Sequence, residues 1–140
     1  MNKDTALRWI RIVATFDLLA TAPMAVPVIG GYYAAWLFTN LGLSGSPMSL
    51  MPIPAMASVF IALAGVLAVL WNGCRARHPQ LLPLTQFDLG GRCAVAALLV
   101  YFLLVAGVPA VLWLFVATEL IGALIEWRAL RALQQGQGTG

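Results

Sequence analysis

Apolar residues gather into four long runs, over residues 7–27, 54–72, 91–108 and 110–127, with polar and proline-rich stretches between them. The second run contains "AMASVFIALAGVLAVLW" and the third "RCAVAALLVYFLLVAGV". A helix crosses a hydrocarbon core with about 20 predominantly apolar residues, within a range of about 17–25. Each run is therefore predicted to be a membrane-spanning helix. Only "GVPA" separates the third from the fourth, so these two form a tight hairpin. Pro109 can start the fourth helix, where its missing N–H is harmless.

The first connection, residues 28–53, is longer and opens with "GGYYAAWLFTNLGL". Its Tyr32, Tyr33, Trp36 and Phe38 predict an interfacial helix lying along the headgroups. A core element tucked over the mouth of the bundle fits the same residues. "SGSPMSLMPIP" reads as irregular loop, because three prolines fall within eight residues. The tail 134–140, "QQGQGTG", is short and polar and is expected to be disordered. The fold class is thus all-α: one domain over 1–133, a four-transmembrane-helix bundle with an interfacial helix between helices 1 and 2.

Composition strengthens this picture. Hydrophobic residues make up 61% of the 140 and charged residues 9%, with a mean hydropathy of +0.90. Soluble domains carry about 25% charged residues, so water is a poor candidate for the main solvent. The pI near 9.3 rests on eight Lys and Arg spread along an apolar chain. Nucleic-acid binding needs a clustered basic face, and no such cluster stands in the sequence.

The positions of those eight cations set an orientation. Lys3, Arg8 and Arg11 begin the first run, Arg75, Arg77 and Arg92 lie in or beside the second connection, and Arg128 and Arg131 follow the fourth run. The first and third connections hold none. By the positive-inside rule both termini are cytoplasmic, in a bacterial-type inner membrane. Trp9, Trp71 and Trp127 then mark the inner interface, and Trp36 and Trp113 the outer one. A cleaved signal peptide ending near "APMA" is the competing reading of the N-terminus, and Asp17 within its apolar stretch argues against it.

Asp17 is the first candidate for chemistry. It follows Arg8 by nine positions, Glu119 precedes Arg128 by nine, and Tyr101 follows Arg92 by nine. At 1.5 Å per residue all three lie roughly 13 Å from the inner arginine level, near the middle of a core about 30 Å thick. Intramembrane ionisable groups almost always face the bundle interior. Asp17 and Glu119 are therefore expected to share a buried polar layer in which one carboxyl carries a proton. Tyr101, Thr21 and Thr118 would supply hydrogen bonds to it. Gly65 in the second run offers a close approach to a neighbouring helix. Three roles suit such a layer: hydrogen-bonded glue between helices, passage of a proton or ion, or a polar anchor for a lipid- or quinone-like ligand.

A second polar layer lies at the inner surface. Arg75, Arg77 and Arg92 are expected to set topology and to meet anionic lipid headgroups. Asp88 is expected to cap the third helix or pair with Arg92, and Glu126 to snorkel at the surface beside Arg128 or Arg131. Cys74 and Cys93 have no metal-ligand spacing and read as small apolar residues. His78 has no second ligand at a useful distance, so no metal site is expected. Nucleophile-elbow, zincin and phosphate-loop motifs are missing, and no catalytic residue is assigned.

"LRWIRIV", "FDLLATAPMAVP", "FDLGGR" and "ATELIGAL" together resemble the DoxX-like group of small bacterial four-helix membrane proteins, over most of residues 7–133. The resemblance implies a quinone-linked accessory role beside a membrane oxidoreductase. The long aromatic, proline-rich first connection departs from it, and no redox motif is visible. The expected function is a small accessory or binding protein that anchors a lipid, a quinone or a partner subunit. The alternatives are a proton- or ion-coupled transporter, oligomeric because four helices enclose little lumen, and an oxidoreductase subunit or lipid-modifying enzyme.

Overall fold

The computed structural model describes residues 1–41, 46, 48, 51–106, 108 and 110–135. Part of the expected loop over 44–54, together with residues 42, 43 and 107, Pro109 and residues 136–140, lies outside the described residues. The described chain is helical throughout: α1 (Lys3–Thr21), a 3-10 turn (Ala22–Ala25), α2 (Ile29–Asn40), α3 (Ala55–Arg77), α4 (Leu82–Val105), a second 3-10 turn (Ala110–Leu112) and α5 (Trp113–Gln135). Gln134 and Gln135, assigned to the disordered tail from sequence, continue α5.

Three segments are long and apolar enough to cross a membrane: α3, α4 and Ala110–Gln135. Lys3–Ala25 with Ile29–Asn40 makes a fourth if that pair, bent by 116°, counts as one span. Packing agrees with a lipid solvent. Among the most buried apolar residues are Ala6, Ala14, Ala34, Ala35, Ala96, Ala123 and Ala129, while Leu63, Leu67, Leu98, Leu104, Leu114 and Ile121 point outward. Water-soluble domains bury their large aliphatics and do not expose them in such numbers. An interior made up mostly of alanine, with Ile10, Leu130 and Leu133 among its larger members, beneath an outer face of large aliphatics is the arrangement of helices that associate in lipid.

The chain divides into two compact units. One comprises Thr15–Gly73; the other joins Met1–Ala14 to Cys74–Gly140. All eight Lys and Arg belong to the second, and Asp17 is the sole charged residue of the first.

Within Thr15–Gly73, the chain turns sharply after α1. Pro23 opens the 3-10 turn. Pro27 and Val28 follow, with Val28 at φ 66° and ψ −59°. The Ile29 amide donates to the Pro27 carbonyl at 2.7 Å, which closes a strained γ-turn on a β-branched residue. Downstream, α2 is two-faced by size. Gly30, Gly31, Ala34 and Ala35 are buried, while Tyr32, Trp36 and Phe38 point out. A Cβ on Gly30 would stand 2.7 Å from the Met24 carbonyl oxygen, so only glycine lets α2 return this close to the 3-10 turn. Gly65 of α3 meets the backbone of Met24 and Ala25 more closely still, nearest the Ala25 nitrogen. The Tyr33 hydroxyl donates to the Ala20 carbonyl at 2.9 Å.

In the other unit, Asn2 starts α1 by accepting the Thr5 amide at 2.8 Å, the side-chain cap an N-terminus needs. Ala6 and Ile10 of α1 then pack with Ala129 and Leu133 of α5, flanked by Leu82 at the start of α4. Arg11 Nε donates to the Ala76 carbonyl at 3.2 Å, placing a cation on the last turn of α3. The start of α1, the end of α3, the start of α4 and the end of α5 therefore meet at one end of this unit. From there α4 and α5 pack along one another.

Candidate functional site

Five charged side chains converge where α4 and α5 pack beside the last turn of α3. On α4, Thr85, Arg92 and Ala96 are buried, and Asp88 lies one turn before Arg92 on the same face. On α5, Glu119, Gly122 and Glu126 share a face because seven residues make nearly two full turns. α3 contributes Arg75 from its last turn.

Arg92 is the hub. Its Nε lies 2.9 Å from Asp88 Oδ2 and 3.4 Å from Glu126 Oε1, and its Nη1 lies 3.1 Å from Glu119 Oε2. Arg75 Nη1 reaches the same Asp88 oxygen at 3.0 Å, and Arg75 Nη2 pairs with Glu126 Oε1. Asp88 and Glu126 thus share both guanidinia. The seat for the hub is Gly122: a Cβ there would stand 2.7 Å from Arg92 Nη1 and 2.9 Å from Cζ. A bare glycine one turn from each glutamate lets the planar guanidinium lie across α5 between them.

Burial grades along the cluster. The side chains of Arg75 and Glu126 are 0% exposed, Arg92 is 9% exposed, and Glu119 is 26% exposed. Glu126 Oε2 is buried with no hydrogen-bond partner among the described residues. Isolated charges at this depth are costly, and pairing with hydrogen bonding is what makes them tolerable. The result is a dense ionic node, closed at Arg75 and Glu126 and open at Glu119. Among the described residues no group of His, Cys, Asp and Glu is arranged to hold a metal ion.

The residues singled out from sequence fall as follows. Glu119 belongs to the node, paired with Arg92. Asp17 is half-buried on α1, and its backbone carbonyl accepts the Thr21 hydroxyl at 2.7 Å. Thr118 likewise donates within its own helix, to the Phe115 carbonyl at 2.9 Å. Both hydroxyls are thus engaged with their own backbones. Tyr101, expected in the buried layer, is 55% exposed and stacks edge-on with Phe102. Nine residues after Arg92 is two and a half turns, so Tyr101 takes the opposite face of α4 and lies beyond the level at which Arg92 meets Glu119.

At the inner layer the placement differs from expectation at three positions. Arg75 and Arg92, expected at lipid headgroups, turn inward onto carboxylates; Arg77 remains exposed. Glu126, read as a surface residue, is fully buried, because it faces α4 and α3 and not the Arg128 side of its helix. Asp88, expected either to cap this helix or to pair with Arg92, sits well past the first turn of α4 and makes the pair. The signal for the node was present as spacing: Asp88–Arg92 at i,i+4 and Glu119–Gly122–Glu126 on one face. Arg75 carried no such signal, since only tertiary packing brings the end of α3 to α4 and α5. No protein-family model, curated protein or solved structure matches this chain.

Proposed function

We propose that this chain is a small four-span protein of a bacterial-type inner membrane, with both termini cytoplasmic and α2 at the outer interface. It serves as an accessory or binding protein. Its ionic node anchors an amphiphile with a hydrogen-bonding head, of the lipid or quinone kind. The observation that carries this reading is the graded burial of the node. A closed ion-paired base holds Arg92 rigidly, and the most open member, Glu119, lies in the apolar stretch "WLFVATELIGAL". An acceptor oxygen fixed by a buried arginine within apolar surroundings is the kind of polar contact that orients a ligand. Support for the orientation comes from four helix ends, those of α1, α3, α4 and α5, meeting at one end of the unit that holds every Lys and Arg.

The reading is tested by thermal unfolding of delipidated protein against quinols, quinones and phospholipids. A true ligand raises the midpoint with the logarithm of its concentration, stabilising the fold by about 2.7 kcal/mol at a hundredfold excess over Kd. Glu119→Gln must abolish that rise while the protein keeps its helix content. A set of amphiphiles that all shift wild type and Glu119→Gln equally would refute it.

Glu126 Oε2 favours a second reading, a proton- or ion-coupled transporter acting as an oligomer. A buried carboxylate oxygen with no hydrogen bond from a described residue is a place for a proton. Glu119 and Glu126 carry the proton, and the arginines, always charged, only hold them in place. Reconstituted vesicles with no proton or cation flux would eliminate this reading.

A further inference from the structure

The charges of the node do not balance. Asp88, Glu119 and Glu126 bring three carboxylates to the two guanidinia of Arg75 and Arg92. Arginine cannot give up its charge, so the surplus on the carboxylate side is met only by a proton or by a further cation. Resting on the Glu119 anchor of the proposed function, we infer that the amphiphile is cationic and that its ammonium head binds at Glu119.

Three observations carry this. First, the surplus is buried. The side chains of Arg75 and Glu126 are fully enclosed, and Glu126 Oε2 has no hydrogen-bond partner among the described residues. A negative charge in excess at such depth is costly until a positive one is brought to it. Second, both guanidinia are turned onto carboxylates: Arg75 onto Asp88 and Glu126, Arg92 onto Asp88, Glu126 and Glu119. A head arriving from the apolar side meets Glu119, the most exposed of the five, before either arginine. An ionised carboxylate only accepts hydrogen bonds, so it selects a donating head, and it repels an anionic one. Third, the ground beside Glu119 suits a hydrocarbon tail. Away from Glu126, the node's face continues with Ala96 and Leu99 of α4, four and seven residues after Arg92, and with Phe115 of α5, four before Glu119. Ala96 is buried, and Leu99 and Phe115 are half-buried.

An ammonium head can belong to an aminolipid of the bilayer or to a free lipophilic amine, and the test separates them. Dodecylamine, dodecanol and dodecanoate share one tail and carry a positive, a neutral and a negative head at neutral pH. The full chain in a neutral detergent is titrated with each, and its thermal unfolding is followed by circular dichroism. A charge-assisted hydrogen bond outweighs a neutral one, so dodecylamine should bind about tenfold more tightly than dodecanol. Dodecanoate should give no shift, and Glu119→Gln should erase the advantage of the amine. That variant removes the surplus charge and leaves each guanidinium a carboxylate, so it should fold; if it does not, the wild-type series decides alone.

Phosphatidylethanolamine, which has the ammonium head, and phosphatidylglycerol, which lacks it, are then compared by native mass spectrometry. Retention of phosphatidylethanolamine alone assigns the site to an aminolipid. A response to dodecylamine with neither lipid retained assigns it to a free amine. Dodecanol or dodecanoate bound as tightly as the amine, and lost in Glu119→Gln, would leave the anchor standing and overturn the ammonium head. So would Glu119-dependent retention of phosphatidylglycerol. Full displacement of dodecylamine by equimolar ammonium chloride would mean that the bare cation is recognised, and overturns the inference too. Binding that is the same in wild type and Glu119→Gln for all three probes would instead refute the Glu119 anchor itself.

Discussion

Replacing Gly122 by alanine adds one carbon and places it against the hub of the node. The new Cβ would stand 2.7 Å from Arg92 Nη1, 2.9 Å from Cζ and 3.1 Å from Nε. The end of an arginine side chain ordinarily yields to such a contact at little cost. Here the guanidinium is held by Asp88 at 2.9 Å, Glu119 at 3.1 Å and Glu126 at 3.4 Å. Sliding off Gly122 keeps the Asp88 contact, which lies on its own helix, and loses contact with α5. A charge-assisted hydrogen bond contributes about 1.5–3 kcal/mol, so the loss is about 3 kcal/mol. Alanine in a helix interior recovers about 1 kcal/mol relative to glycine. The net expectation is destabilisation by about 2 kcal/mol. Thermal unfolding in detergent, followed by circular dichroism, reads this as a lower midpoint. The decisive arm repeats Gly122→Ala in an Arg92→Gln background, where the clash is gone and only the helix preference remains. There the substitution should be neutral or stabilising by up to about 1 kcal/mol. An equal loss in both backgrounds would refute the role assigned to Gly122 as the seat of Arg92.

The remaining predictions concern the node's base and the tight turns. Arg75→Met or Glu126→Met alone should cost about 3–5 kcal/mol, by stranding a buried charge. The double variant should recover much of that in a double-mutant cycle read by thermal unfolding. Gly65→Ala should lower the midpoint strongly, since its Cβ meets the backbone of Ala25, which cannot rotate away. Gly90→Ala, with nothing within 4 Å of its added carbon, should be neutral or stabilising by up to about 1 kcal/mol. Val28→Gly should raise the midpoint, because a positive-φ backbone costs a β-branched residue about 1–3 kcal/mol, more than the entropy about 1 kcal/mol that glycine adds to the unfolded chain.

Helix content and the apolar stretches of α3, α4 and α5 were legible because they depend on hydropathy and length alone; the break after Thr21, inside the run read as one span over 7–27, was not. Axial position was not legible: Glu119, read as about 13 Å beyond the inner arginines, pairs directly with Arg92, whose level along α4 was taken from its place beside a loop. Azimuth was not legible either. Tyr101 was grouped with Glu119 on depth and lies on the opposite side of its helix from Arg92. Glu126 was placed at the surface because it neighbours Trp127 and Arg128 in sequence. Yet it stands seven residues from Glu119 and so shares its face. The Asp88–Arg92 pair was within reach because i,i+4 spacing fixes both depth and face. Arg75 required knowing which helices adjoin, and an arginine just before a loop carries no mark of that. The same holds for Gly30 and Gly31. Their aromatic neighbours Tyr32 and Trp36 announced a helix, but the small face that packs it was visible only in the fold.

The central claim is that the node opens at Glu119 to hold an amphiphile, and intact-mass measurement of the protein released from its own membrane tests it most directly. In a native mass spectrum, wild type should carry one retained amphiphile of defined mass. Glu119→Gln, equally helical and equally abundant, should lack it. Wild-type protein of bare mass, or a retained species that survives Glu119→Gln undiminished, would contradict it.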